Sequence, residues 1–143
     1  MIQMDKDKKY MSRAIELARK GRYGAHPNPM VGAVLVKNGR IIGEGWHKEF
    51  GKAHAEVNAI RSAGAAAAGS ALYVTLEPCS TRGKTGPCTQ ALIAACVKRV
   101  VIGAPDPAPA NAGKAARILR AAGIEVKSGV LAGEALAINP VFN

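Results

Sequence analysis

Four residues in this chain have the types and the spacing to do chemistry together. His54 and Glu56 stand one residue apart in His54-Ala55-Glu56, and two thiols follow in Pro78-Cys79 and Pro87-Cys88. One imidazole nitrogen and two sulfurs are a zinc donor set. A catalytic zinc site takes three protein ligands and leaves its fourth position to water. His54, Cys79 and Cys88 supply that number and those atoms. Zinc lowers the pKa of its water towards about 7, and a carboxylate beside the metal can carry protons to and from a substrate. Glu56 is placed for that task, two residues from a ligand and not a ligand itself. Each thiol alone would read as a small buried hydrophobe, and Glu56 alone as a surface residue in the first turn of a helix. As a quartet they imply one zinc ion per chain with an acid–base partner. The third cysteine, Cys96, is spaced into the apolar side of a helix and is expected in the core.

These residues need elements to hold them. Asp5 or Asp7 can cap a helix to about Lys20, in which Met11, Ala14, Ile15 and Ala18 make an apolar stripe. Gly21 to Pro29 is a loop. Val31–Val36 reads as a buried strand, Asn38-Gly39 as a hairpin turn and Arg40–Trp46 as the return strand. A helix from His54 to Ala63 places His54 at its N-terminus. The alanine-rich stretch Gly64–Gly69 either extends that helix or connects it onward. Ala71–Leu76 is a strand, with Leu72, Val74 and Leu76 alternating against Tyr73 and Thr75. The loop Glu77–Pro87 leads to a helix over Thr89–Lys98, so that Cys88 also meets a helix N-terminus, whose partial positive charge favours a thiolate. Strands Arg99–Gly103 and Ile124–Lys127 alternate with helices Asn111–Ala122 and Val130–Ile138, after a proline-rich loop at Ala104–Ala110. This order predicts an α/β fold, a three-layer αβα sandwich on a mixed five-stranded sheet, mostly parallel after the hairpin.

Composition narrows the class. The 143 residues suit a single domain, 1–143. Aromatic residues are 4%, so the core must be aliphatic. No apolar run reaches the roughly 18 residues a membrane helix needs. Met1 to Tyr10 is polar, without the apolar centre of a signal peptide. A soluble, cytoplasmic protein with no membrane partner is therefore expected. Three cysteines in such a chain point to metal or catalytic use rather than to disulfides. The net charge of +10 attracts anions. The basic residues are scattered, and aromatic platforms for base stacking are few, which argues against a nucleic-acid partner and leaves a phosphorylated small molecule or a merely solubilising surface.

With the motifs in place, a resemblance covers almost the whole chain. It runs through Pro27-Asn28-Pro29-Met30-Val31-Gly32-Ala33-Val34, Gly43-Glu44-Gly45-Trp46-His47 and His54-Ala55-Glu56-Val57-Asn58-Ala59. It continues in Tyr73-Val74-Thr75-Leu76-Glu77-Pro78-Cys79-Ser80, Gly83-Lys84-Thr85 and Pro87-Cys88. The chain resembles the deaminase domains of bacterial bifunctional riboflavin-biosynthesis deaminase/reductases, in the zinc-dependent cytidine-deaminase-like superfamily. The eight residues between its thiols suit that branch and not the P-C-x-x-C of tRNA-adenosine and cytidine deaminases. The resemblance implies zinc on His54, Cys79 and Cys88, Glu56 as proton shuttle, and Asn28, His47 and Lys84 at the substrate. It implies hydrolytic deamination of 2,5-diamino-6-ribosylamino-4(3H)-pyrimidinone 5′-phosphate, and a homodimer or homotetramer. Lys84, on the loop between the thiols, suits a phosphate.

The chain departs from that pattern in places. Thr81 stands where the family has His, Gly86 where it has Pro, and Ala108 where it has Asn, in Asp106-Pro107-Ala108-Pro109. The family His and Asn touch the ribose phosphate end. An alternative is thus the same zinc chemistry on another small nucleobase, nucleoside or pteridine. A nucleic-acid-editing protein and a zinc-stabilised module without activity are the remaining readings. The chain stops at Asn143, where the family's reductase domain would begin, so no reductase domain is expected within it.

Overall fold

A computed structural model describes residues 6–21, 29–48, 53–79, 88–106 and 112–139. The elements run α1 (Lys6–Arg19), β1 (Gly32–Lys37), β2 (Arg40–Trp46), α2 (Ala55–Ala63), β3 (Ala71–Leu76), α3 (Cys88–Ala94), β4 (Arg99–Ala104), α4 (Lys114–Ala121), β5 (Glu125–Ser128) and α5 (Ala132–Ala137). A single 3-10 turn over Gly64–Ala67 takes up the alanine-rich stretch. Gly64, at φ +62, ends α2 there instead of extending it.

The sheet order is β2-β1-β3-β4-β5. Strand β1 is antiparallel to both its neighbours, and β3–β4 and β4–β5 are parallel. The mixed five-stranded sheet is as expected, but its pairings divide equally between the two senses. The reason is that the hairpin partner β1 sits between β2 and β3. Reversing β1 alone leaves β2, β3, β4 and β5 pointing the same way, so four strand ends open at one edge of the sheet. The hairpin turn is built as its sequence predicts. Asn38 and Gly39 both have positive φ, and Lys37 pairs with Arg40.

Two aliphatic cores flank the sheet. One gathers Leu35, Leu72, Val74, Val100 and Ile102 against Ala55 and Ala59 of α2, Leu92 of α3 and Leu119 of α4. The other gathers Val34, Tyr73 and Val101 against Met11, Ala14, Ile15 and Ala18 of α1 and Ile138 beyond α5. The alternation in β3 therefore sorts its residues between two cores rather than between core and solvent. Burial on both faces is what a sheet covered by helices on both sides requires.

Several expectations need correction. Asp7 does not cap α1. It lies in the first turn, is 8% exposed, and accepts hydrogen bonds from Tyr73, Arg99 and Lys127. Cys96 is not a core residue. Helix α3 stops at Ala94, and Cys96 is exposed in a left-handed turn at φ +61. The periodicity carried the helix past its end, because Val97 alone continues the buried side. The α4 cap falls at Gly113. Asp5, Asn28, Thr81, Lys84, Gly86, Ala108 and Asn111 lie outside the described residues.

Candidate functional site

The open edge of the sheet is where the chemistry-bearing residues meet. His54 is the N-cap of α2, with extended backbone at φ −74 and ψ 169, and Glu56 lies in that helix's first turn. Cys79 follows β3 by three residues, and Cys88 opens α3. The close seating of α2 on β2 comes from Gly43 and Gly45. A Cβ on Gly45 would collide with the backbone of Ala55 and Ala59, and one on Gly43 with Ala59 and Ala63. Only hydrogen at these positions lets the helix lie against the strand, and that sets the height of its N-terminus.

The three donors converge. The His54 Nδ1 is 3.2 Å from the Cys88 Sγ and 3.8 Å from the Cys79 Sγ. The three donor atoms lie within 4.8 Å of one another. An ion with bonds of about 2.0–2.3 Å in a tetrahedral shell needs donors about 3.5–3.8 Å apart. The spacing and the nitrogen–sulfur chemistry fit zinc. The Cys88 backbone N–H also donates to the Cys79 Sγ at 3.1 Å.

The electrostatics of the group favour cation capture. Hydrogen bonding from the Cys88 side chain, then from His54, pulls the Cys79 thiol down to about 4 despite its burial. The same pairing and burial push the Cys88 thiol up. The two thiols are thus pushed in opposite directions by their mutual hydrogen bond, and a bound cation would displace the proton held there. The hydrogen bond to Cys79 raises His54, against its own desolvation. Glu56 is 3% exposed, and burial pushes its carboxyl up to about 7. A carboxyl poised there can both accept and release a proton.

These residues open onto a cleft of about 190 Å³, lined by His54, Glu56 and Cys79 with His47, Glu77 and Asp106 among the rest of its wall. His47 is buried and follows β2, and its ring stands edge-on to His54 at 5.1 Å between centroids. Its Nδ1 is 3.3 Å from the Ala53 carbonyl, and burial lowers its pKa against that contact. Of the residues expected at the substrate, His47 is therefore on the cleft wall. Asn28 and Lys84 fall outside the described residues.

Three further side chains pin the segments around the cleft. The Asn58 amide donates to the carbonyls of Trp46 and Ala53, on either side of the β2–α2 connection. Asn139 accepts from the Met30 N–H at 2.7 Å and donates to the Met30 carbonyl at 2.8 Å. Glu77 holds the segment after β4. Asn58 and Glu77 lie inside motifs quoted above, but nothing in their local sequence names their partners, which are 5 to 109 residues away across these three tethers.

Known proteins resemble this chain closely. The family model for the cytidine and deoxycytidylate deaminase zinc-binding region matches residues 4–104. Riboflavin biosynthesis protein RibD of Escherichia coli (strain K12) is 52% identical over 136 residues, which are 95% of this chain and 37% of that protein. A diaminohydroxyphosphoribosylamino-pyrimidine deaminase of Buchnera aphidicola subsp. Schizaphis graminum (strain Sg) is 48% identical over 137 residues, 96% of this chain and 93% of that one. Among solved structures, form 1 of RibD from Acinetobacter baumannii superposes with a TM-score of 0.95 at 49% identity, over 98% of this chain and 39% of that chain. The chain thus spans little more than a third of the RibD proteins it matches, and nearly all of the Buchnera protein.

Proposed function

The chain belongs to the cytidine and deoxycytidylate deaminase zinc-binding family, and from that premise we propose that it is a zinc-dependent hydrolytic deaminase of a ribosylamino-pyrimidinone phosphate in riboflavin biosynthesis. The observation that carries this reading is the donor triangle of His54, Cys79 and Cys88, whose His54 and Cys79 line one cleft together with a buried Glu56. The names of the RibD and Buchnera relatives support the substrate.

His54, Cys79 and Cys88 would hold the zinc, which when bound supplies a water of lowered pKa as nucleophile. Glu56 takes a proton and delivers it to the ring nitrogen next to the carbon under attack. It then takes the remaining proton of the added oxygen, as the ring C=O forms, and delivers it to the departing amino group, which leaves as ammonia. His47 and Asp106 both line the cleft wall and would orient the pyrimidine. Asn28 and Lys84 complete the substrate contacts, Lys84 at the phosphate. The outer edge of β2, unpaired among the described residues, with Ile41 42% exposed, supports self-association as a homodimer or homotetramer.

The test is ammonia release from zinc-loaded protein. It is offered the ribosylamino-pyrimidinone phosphate beside cytosine, guanine and their nucleosides, with Glu56→Ala as the blank. Turnover of the phosphate, refusal of the others and silence of the blank are the expected result. Preference for another compound would transfer the chemistry to a different substrate and make Thr81 and Ala108 the marks of that change. Activity retained in Glu56→Ala would refute the mechanism.

A further inference from the structure

Glu77 is the charged residue of the cleft to which the proposed chemistry gives no task. It follows β3 directly, two residues before Cys79, and is 7% exposed. Its carboxylate accepts three backbone N–H groups. Oε1 takes those of Asp106 at 3.1 Å and Gly113 at 3.0 Å, and Oε2 takes that of Ala115 at 3.1 Å. Gly113 is the N-cap of α4, left-handed at φ +80, and no side chain caps the helix locally. Glu77 supplies that cap from another element, with its negative charge at the positive end of the helix. The Glu77 backbone N–H meanwhile donates to the Ala104 carbonyl at 2.9 Å. Main chain and side chain of one residue thus grip both ends of the β4–α4 connection. Asp106, held at its backbone, faces the same cleft as His54, Glu56 and Cys79.

We propose that Glu77 is a positioning residue for substrate, fixing the Asp106 wall of the cleft to the strand end that carries Cys79. The proposal rests on the deaminase reading above. Three convergent N–H donors call for two oxygens with free lone pairs, which a carboxylate has. A glutamine offers one oxygen and sets an NH2 group against at least one donor, leaving a buried N–H without its bond. Among the described residues, the Glu77 carboxylate accepts no hydrogen bond from the proposed metal ligands, so the change should reach substrate binding and spare the metal.

The experiment compares Glu77→Gln and Glu77→Asp with wild type in three measurements: steady-state kinetics, zinc content, and amide hydrogen exchange. For Glu77→Gln we expect KM to rise about tenfold, the factor that one lost charge-assisted hydrogen bond amounts to. We expect kcat to change less than about twofold, with zinc content unchanged and exchange faster at Asp106, Gly113 and Ala115. Glu77→Asp keeps the charge and should show the same split at smaller size, and it carries the test if the glutamine variant does not fold. Faster exchange with unchanged KM would overturn the proposal, as would a joint loss of zinc and kcat. If the wild type deaminates none of the compounds offered, the functional reading itself falls. Exchange, which needs no substrate, then decides the clamp alone: unchanged protection in Glu77→Gln overturns it, and lost protection sustains it.

Discussion

Glu56 and Cys88 show how much a single side chain owes to its surroundings. A glutamate in the first turn of a helix is ordinarily solvated and ionised. Here burial takes it to about 7, beside two thiols of opposite tendency. The proposed acid–base residue is legible from sequence because the proposed ligand His54 is two positions away, a separation that folding cannot change. The opposite tendencies of the two thiols were not legible, since they depend on the Cys88 N–H and side chain both facing Cys79. Replacing Cys88 with serine removes a donor that zinc prefers and should abolish the stabilisation zinc confers. At a zinc concentration about a hundred times Kd, wild type gains about 2.7 kcal/mol from binding, or roughly 10 °C in melting temperature for a chain of this size. Melting curves with and without zinc should show that increment in wild type and none in Cys88→Ser. An equal increment in both would mean that Cys88 is not a ligand.

At the scale of elements, helix N-termini are the positioning device, and glycines set their depth. Sequence periodicity placed α2 within one residue of its observed start, because His54 caps it. It could not say that the helix lies on Gly43 and Gly45 of β2, which are reached only after the chain doubles back. Gly45→Val would drive the first turn of α2 off the strand. The expected cost is about 1–3 kcal/mol, together with weaker zinc binding, since His54 moves with the helix. Chemical denaturation and competitive zinc titration would measure the two effects. Zinc affinity equal to wild type would show that the helix N-terminus is held by contacts other than this one. The misreading of Cys96 belongs to this scale too. Its spacing continues the stripe of α3, but the left-handed turn at Cys96 ends that helix so that Val97 enters the core before β4.

At the scale of the whole molecule, Asp7 ties the first helix to three strands. Its carboxylate meets Tyr73 of β3, Arg99 of β4 and Lys127 of β5, and Arg99 reaches on to Glu125. These bonds, with Arg99 foremost, hold the Asp7 carboxyl well below the usual carboxylate range. A depressed carboxyl stabilises the fold fully above its unfolded value of about 3.9. That contribution is lost as pH falls from there through the folded value. Asp7→Asn should cost about 2–3 kcal/mol near neutrality, because it leaves buried donors and a partly buried guanidinium short of their acceptor. The deficit relative to wild type should shrink as pH drops below about 4. Urea midpoints for both proteins between about pH 3 and 7 would measure this, and a deficit independent of pH would argue against the assignment. Among the described residues no helix is long and apolar enough to cross a membrane.

Sequence by itself picked out the His54, Cys79 and Cys88 group and the Glu56 beside it, the five strands, the hairpin and the aliphatic character of the core. All of these depend on residue type and on separations of a few positions, where chain geometry leaves little choice. Only the tertiary structure decided which distant groups meet. It put β1 between β2 and β3, and so brought four strand ends to one edge. It gave Glu77 its three N–H partners 29 to 38 residues away, and Asp7 its partners 66 to 120 residues away. Buried charge must find its counterpart wherever the sheet order places one, and that order is a property of the packed layers rather than of any local stretch of chain.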